Sequence, residues 1–274
     1  MPEKTARLEV LLQEQGRVAV AFSGGVDSTL LLKLAHAALP QADVLALTAV
    51  SPSMPAEDRE GAASLAAMIG VRHVMIETDE VEDERYAANP ANRCYFCRAI
   101  VFDQLLKYAA AEGFLCLMDG SNADDVGDFR PGRRAARELG VRSPLLEAGL
   151  TKAEIRALAH ELGLPNWDAP SAPCLSSRIP YGTPVTIELL SQVERAERAL
   201  RELGLHQVRV RHHDQVARIE VEPADFQGLI QARERVVQAL QAIGYTYVAL
   251  DLAGFRSGSL NEGLKGQAQR RGDA

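Results

Sequence analysis

Leu8, Leu11 and Leu12 recur at helical spacing within residues 3–15, so the chain is expected to open with a helix. Arg17–Phe22 (RVAVAF) then forms an apolar run of strand length between Gly16 and Gly24. A helix-like stretch covers Ser28–Leu39, a second buried strand Asp43–Val50, a helix about Ala56–Ile69 and a third strand Arg72–Ile76. A helix from about Ala99 to Glu112 and the apolar run Phe114–Met118 continue the pattern. Strands this uniformly apolar, separated by helices, predict a parallel sheet covered on both faces, because a sheet with one wet face would alternate apolar and polar positions. The fold class is therefore α/β, doubly wound, with a smaller α/β domain behind it.

From Gly120 to Gly140 the texture changes to Gly, Asn, Asp and Arg, a loop composition, before Thr151-Lys-Ala-Glu154 supplies a capping box for a helix to Leu162. Pro165, Pro170, Pro173, Pro180 and Pro184 crowd the next stretch, which is expected to be irregular. A helix over Thr186–Leu203, strands at Gln207–Arg211 and Ala217–Val221, a helix over Pro223–Ala242 and a strand at Tyr247–Leu252 form the smaller unit. The expected domains are 1–183 and 184–262, with a frayed polar tail over 263–274.

An apolar content of 47% over 274 residues excludes intrinsic disorder as the main state. Thirty Lys and Arg against 37 Asp and Glu leave a net charge of −7, which argues against a partner that is nucleic acid. No run approaches the ~18 apolar residues of a membrane span, and MPEKTARLEV lacks the charged and apolar regions of a secretory leader. The expectation is a cytoplasmic protein without a membrane partner. Four cysteines, Cys94, Cys97, Cys116 and Cys174, are too few for a disulfide-stapled fold. Each serves packing, metal binding or chemistry, and Cys116, inside an apolar run, is expected in the core.

Ser23-Gly24-Gly25-Val26-Asp27-Ser28 comes directly after the first buried strand and runs straight into a helix. Successive backbone N–H groups at a helix N-terminus bind anions, and adjacent glycines let the main chain approach phosphate. A plain turn capped by Ser and Asp is the competing reading. The loop is neither G-x-x-x-x-G-K-[ST] nor G-x-G-x-x-G. It resembles the SGGxDS loop of the N-type ATP pyrophosphatases, the group of GMP synthetase, NAD synthetase and tRNA thiolation enzymes. That resemblance implies a Rossmann-like fold of the adenine nucleotide alpha hydrolase type, ATP cleaved between α and β phosphates, and AMP passed to a substrate oxygen. It further implies pyrophosphate bound by residues 23–28 and Mg²⁺ held through the phosphates by Asp27. Asp119-Gly120-Ser121-Asn122-Ala123-Asp124-Asp125 ends the fourth strand; an Asx-rich turn is one reading, while the resemblance turns Gly120, Asp124 and Asp125 toward nucleotide and metal. Thr48, Ala49 and Val50 are the corresponding adenine edge.

Cys174 stands in the proline-rich stretch beside Arg178, where a cation stabilises a thiolate, although it could simply pack as a small hydrophobe. The string CLSSRIPYG, together with SGGVDS and RCYFC, resembles the LarE-type sulfur transferases that mature the nickel-pincer nucleotide of lactate racemase, over essentially the whole chain. The resemblance implies that a carboxylate of pyridinium-3,5-biscarboxylic acid mononucleotide is adenylated and captured by Cys174 as a thioester. Loss of the cysteine Cα proton then leaves a thiocarboxylate and dehydroalanine. Ser177, Arg178, Arg209 and Arg211 would bind this anionic substrate; read alone, Arg209 and Arg211 are the wet face of a strand. Glu197, Glu220 and Glu222 are weaker metal or base candidates. Cys94 and Cys97 with Cys174 could instead carry a [4Fe–4S] cluster that holds the sulfide, because two thiols alone cannot complete a tetrahedral site. A tRNA thiolase and a non-catalytic ATP sensor are the rival functions. The last unit resembles the dimerisation unit of GMP synthetases, which implies a homo-oligomer, dimer-based and up to a hexamer.

Overall fold

The computed structural model describes residues 2–127, 131–170, 173–205, 207–256 and 259–261. The strands are β1 (Val18–Ala21), β2 (Val44–Val50), β3 (Arg72–Glu77), β4 (Cys116–Met118), β5 (Val208–His213), β6 (Val216–Val221) and β7 (Tyr247–Leu250). The first helices are α1 (Pro2–Gln15), α2 (Val26–Ala38), α3 (Ala56–Ile69), α4 (Glu84–Ala87), α5 (Arg93–Ala111) and α6 (Pro131–Glu138). After them come α7 (Pro144–Glu147), α8 (Lys152–Glu161), α9 (Ile187–Glu202), α10 (Phe226–Gln231) and α11 (Arg233–Ala242). The chain packs as two units, 1–86 with 92–172 and 87–91 with 173–274. Residues 173–183, and Cys174 with them, therefore belong to the second unit. The closing stretch 263–274 lies outside the described residues.

In the first unit four parallel strands lie in the order β3-β2-β1-β4. Val18 and Val20 of β1 pack with Leu8, Leu31 and Ile155 on one side of the sheet, while Ala19 packs with Phe102, Leu105 and Leu117 on the other. Burial on both faces is why β1 reads as a continuous apolar run. β3 departs from the expected buried strand: it is an edge, and Arg72, Met75 and Glu77 are exposed. β1 has β2, the next strand in the chain, on one side and β4 on the other, so the winding of the sheet reverses direction between β1 and β4. Open α/β sheets bind ligands at such a switch point, beyond the carboxyl ends of the strands.

Three further expectations are corrected. Gly120–Gly140 is not all loop, since it holds a 3₁₀ turn at Ala123–Gly127 and the helix α6. The buried residues of α6 are Gly132, Ala135 and Ala136, too small to register as an apolar stripe; a Cβ on Gly132 would lie 3.0 Å from Arg98 and 3.1 Å from the Cys94 carbonyl. Helix α5 begins at Arg93, earlier than expected, so Cys94 and Cys97 both sit in its first turns. Cys116 is only half-buried, packed against the edge of the core, and burial raises its thiol pKa.

In the second unit β5 and β6 are antiparallel, β7 joins β6 in parallel, and α9 and α11 cover the sheet around Leu200, Val210, Ile219, Val236 and Leu240. The stretch 223–242 is not one helix: it is a 3₁₀ turn, α10 and α11. The proline-rich segment contains a 3₁₀ turn, Leu175–Arg178, with Leu175, Ser176 and Arg178 buried. Asn89, fully buried at φ 54, clamps the backbone from Pro180 to Thr183. Its amide nitrogen donates to the carbonyls of Pro180 and Thr183, each at 2.8 Å, and its own carbonyl accepts the Gly182 N–H at 3.0 Å.

Asn89→Ala removes the donor from two carbonyls and forces a left-handed φ on alanine. It should lower stability by roughly 2–4 kcal/mol in urea denaturation, with Asn89→Gly recovering the part due to φ. Burial lowers the pKa of His73, His212 and His213, so the folded protein prefers them neutral while the unfolded chain protonates them near the ordinary value of about 6.5. Stability should therefore hold above about pH 6.5 and fall as pH drops below it toward the lower folded-state values, which a pH series of melting curves measures.

Candidate functional site

The loop after β1 is shaped by two geometric demands. Gly24 has φ 75, and a Cβ there would lie 3.2–3.3 Å from Ala62 of α3, so both backbone conformation and space require glycine. Gly25 is the N-cap of α2 and no side chain caps that end, while Ser28 Oγ donates back to the Gly25 carbonyl at 3.0 Å. An uncapped helix start behind a glycine turn suits an anion's oxygens. Ser23 and Ser28 bring their hydroxyls within 3.3 Å of each other beside it.

The loop after β4 lies directly on this helix start. A Cβ on Gly120 would sit 2.9 Å from the Ser28 nitrogen and 3.2 Å from Asp27. Buried Asp119 fixes the loop, accepting from Ser121 N (3.1 Å) and Oγ (2.8 Å), Ser143 Oγ (2.7 Å) and Arg98 (3.0 Å). Asn122 N–H donates to Asp125 at 3.0 Å, and Asn122 Nδ2 donates to Asp27 Oδ1 at 3.3 Å. Residues 23–28 and Gly120, Asp124 and Asp125 thus gather at the switch point of one sheet. Thr48 closes the carboxyl end of β2 by donating to the Phe22 carbonyl at 2.6 Å, with half-buried Ala49 next to it.

Lys152 is a member of this group that the sequence pattern did not reveal. Its Nζ donates to Asp27 Oδ2 at 2.5 Å and its backbone N–H to Asp124 Oδ2 at 2.8 Å. A signal existed: Lys152 occupies the first position of α8, where a cation opposes the helix dipole unless carboxylates face it. Asn166 was also missed; its Nδ2 donates to the Gly24 carbonyl at 2.8 Å.

In the second unit Cys174 is half-buried at the head of the 3₁₀ turn. Arg178 is buried and saturated with acceptors. Nε and Nη2 donate to the two oxygens of Glu197 at 2.8 and 3.0 Å, and Nη1 donates to the carbonyls of Pro173 (2.5 Å) and Cys174 (3.0 Å) and to Ser177 Oγ (3.0 Å). Arg211 donates to Glu220, to the Ser177 carbonyl (2.8 Å) and to Ser259 Oγ (2.7 Å). Arg209 is buried against Phe255, and burial together with the neighbouring Arg178 and Arg211 lowers its pKa to about 10, against an opposing pull from Glu197.

The wet-face reading of Arg209 and Arg211 is therefore incorrect: β5 is buried on both faces up to its last residue. Glu197 and Glu220 are fully buried on guanidinium groups, a setting that suits neither a metal ligand nor a base, and Glu222 is exposed at a turn. Among the described residues no three His, Cys, Asp or Glu side chains gather as a metal site, so the three-cysteine cluster gains no support.

The profile of the asparagine synthase family matches residues 8–162. A Synechocystis protein of uncharacterized function is 46% identical over 96% of this chain and 99% of its own. Pyridinium-3,5-bisthiocarboxylic acid mononucleotide synthase of Lactiplantibacillus plantarum is 41% identical over 95% of both. The chain belongs to the family of that synthase. Argininosuccinate synthase of Halobacterium salinarum is 32% identical over 55% of this chain and 40% of its own length. The profile match thus falls short of residue 173, whereas the Synechocystis and Lactiplantibacillus relatives span nearly the whole chain.

Gly120→Ala should weaken ATP binding roughly tenfold, about 1.4 kcal/mol, in titration calorimetry with the fold intact by circular dichroism, because its Cβ displaces the start of α2.

Proposed function

We propose that this chain is an ATP-dependent sulfur transferase that turns carboxylates of pyridinium-3,5-biscarboxylic acid mononucleotide into thiocarboxylates, within the maturation of a nickel-pincer nucleotide. The observation that carries this reading is the match to the Lactiplantibacillus synthase over 95% of both chains, with Cys174 standing on a loop held by its own network. No helix among the described residues is long and apolar enough to cross a membrane.

In this reading a substrate carboxylate oxygen attacks the α-phosphorus of ATP, and the bond to the β-phosphate oxygen breaks. Pyrophosphate leaves onto the uncapped start of α2 and the hydroxyls of Ser23 and Ser28. Lys152 neutralises developing phosphate charge close to Asp27. Asp27 would be the hard oxygen ligand for Mg²⁺, which would supply charge neutralisation.

The acyl adenylate then has a leaving group that the free carboxylate lacked. The Cys174 thiolate adds to its carbonyl, AMP departs with the former carboxylate oxygen, and a thioester remains. Loss of the Cys174 Cα proton breaks Cβ–S, giving the thiocarboxylate and dehydroalanine. The substrate carries a phosphate and carboxylates, and the second unit suits such an anion. Arg201, Arg209, Arg211, Arg218 and Arg256 would carry the charge for it, whereas Arg178 is already committed to Glu197 and to the carbonyls of the thiol loop.

Intact mass before and after anaerobic turnover with ATP, Mg²⁺ and substrate tests the reading. The expected result is loss of one H₂S from the peptide bearing Cys174, and Cys174→Ser should release pyrophosphate yet give no thio-product. Thio-product from Cys174→Ser at the parent yield, or unchanged mass with iron–sulfur absorbance, would overturn it.

A further inference from the structure

Release of sulfur from the thioester poses a chemical problem that a sacrificial cysteine does not solve by itself. The Cα–H of an amino-acid residue is a very weak acid, and its removal places negative charge on the residue's own carbonyl oxygen as an enolate. Electrophilic donors aimed at such an oxygen are the usual means of making this step feasible.

We propose that Arg178 is that donor, acting on the carbonyl of Cys174; the inference rests on the sacrificial-cysteine reading. Arg178 Nη1 donates to the Cys174 carbonyl oxygen at 3.0 Å and to the Pro173 carbonyl oxygen at 2.5 Å, so the guanidinium holds both peptide oxygens that flank the cysteine Cα. Its other two nitrogens are tied to Glu197 at 2.8 and 3.0 Å. Glu197 is itself pinned by the Val210 N–H at 3.0 Å and by Arg201 at 3.2 Å. The fork therefore cannot swing away, and it is buried, where a charged hydrogen bond is strongest. The charge it must stabilise appears only in the elimination. The same contact thus matters little for thioester formation.

A solvent base takes the Cα proton, and the electron pair passes to the Cys174 carbonyl oxygen, where Arg178 neutralises it. The enolate collapses to form Cα=Cβ, the Cβ–S bond breaks heterolytically, and sulfur leaves with the pair as the thiocarboxylate. No oxidant or reductant is needed.

The test measures thioester and dehydroalanine separately by rapid-quench intact mass, on the full chain with ATP, Mg²⁺ and substrate. In Arg178→Lys, thioester formation should stay within a few-fold of the parent while elimination slows by about 100-fold, so that a hydroxylamine-cleavable adduct accumulates. Elimination at the parent rate overturns the proposal. Equal slowing of both steps overturns it too, because that is what loosened packing would give. If the lysine variant does not fold, Glu197→Gln keeps the side-chain shape but weakens the anchor; the adduct must again accumulate, and elimination keeping pace with thioester formation refutes the role. A parent that forms neither adduct nor dehydroalanine removes the underlying reading itself, a result distinct from all of these.

Discussion

Arg178 and Glu197 are both removed from water, and neither charge could be held there without the other. Breaking a buried pair of this kind leaves an uncompensated ion and typically costs about 3–5 kcal/mol, far more than most surface ion pairs are worth. Glu197 comes from α9, its additional donor from β5, and Arg178 from the turn that starts at Cys174. One carboxylate therefore ties together a helix, a strand and the thiol loop. The remaining nitrogen of the guanidinium reaches the carbonyls of Pro173 and Cys174 and the Ser177 hydroxyl. Arg211 repeats the device with Glu220, and its other branch reaches the Ser177 carbonyl of the same turn. From Pro173 to Ser177 two buried arginines hydrogen-bond the backbone, a role that regular secondary structure would otherwise fill.

The first unit is built differently: its loop after β1 leaves the start of α2 without a side-chain cap. Gly24 and Gly120 are both excluded from carrying a side chain, one by the α3 backbone and the other by the start of α2. The result is two loops in contact at the β1/β4 switch point. Lys152 places a cation where its own helix dipole disfavours one, and Asp27 and Asp124 offset that cost. Both carboxylates are already within hydrogen-bond reach of this cation or of its backbone N–H.

What could be read in the sequence was whatever is local. The β1 run, SGGVDS and the start of α2 are contiguous, and the capping box at Thr151 and Glu154 formed as expected. The parallel, two-faced sheet was legible in the apolar strands. Contacts distant in sequence were not. Lys152 lies 125 positions from Asp27, and Asn89 lies 91 from Pro180. Helix α6 was hidden because close packing there demands Gly and Ala, which carry no hydrophobic signature. Arg209 and Arg211 were ambiguous for a related reason: read alone, alternating charges on a strand look like a wet face until the buried carboxylates near them are known.

The similarities to known proteins divide the chain along the line that the chemistry does. The asparagine synthase profile ends at residue 162, and the argininosuccinate synthase of Halobacterium covers 55% of the chain, whereas the relatives that span both units share 41% and 46% identity. A glycine turn, a helix start and a few carboxylates form a site that can be reused with different chemistry beside it, because function lies in sites grafted on folds. The proposed sulfur chemistry draws on a cysteine whose two flanking carbonyls are engaged by Arg178, and that arrangement depends on α9 and β5 to hold Glu197 in place. Under the proposed function, the second unit is the part that would commit a nucleotide-using first unit to a single thiol.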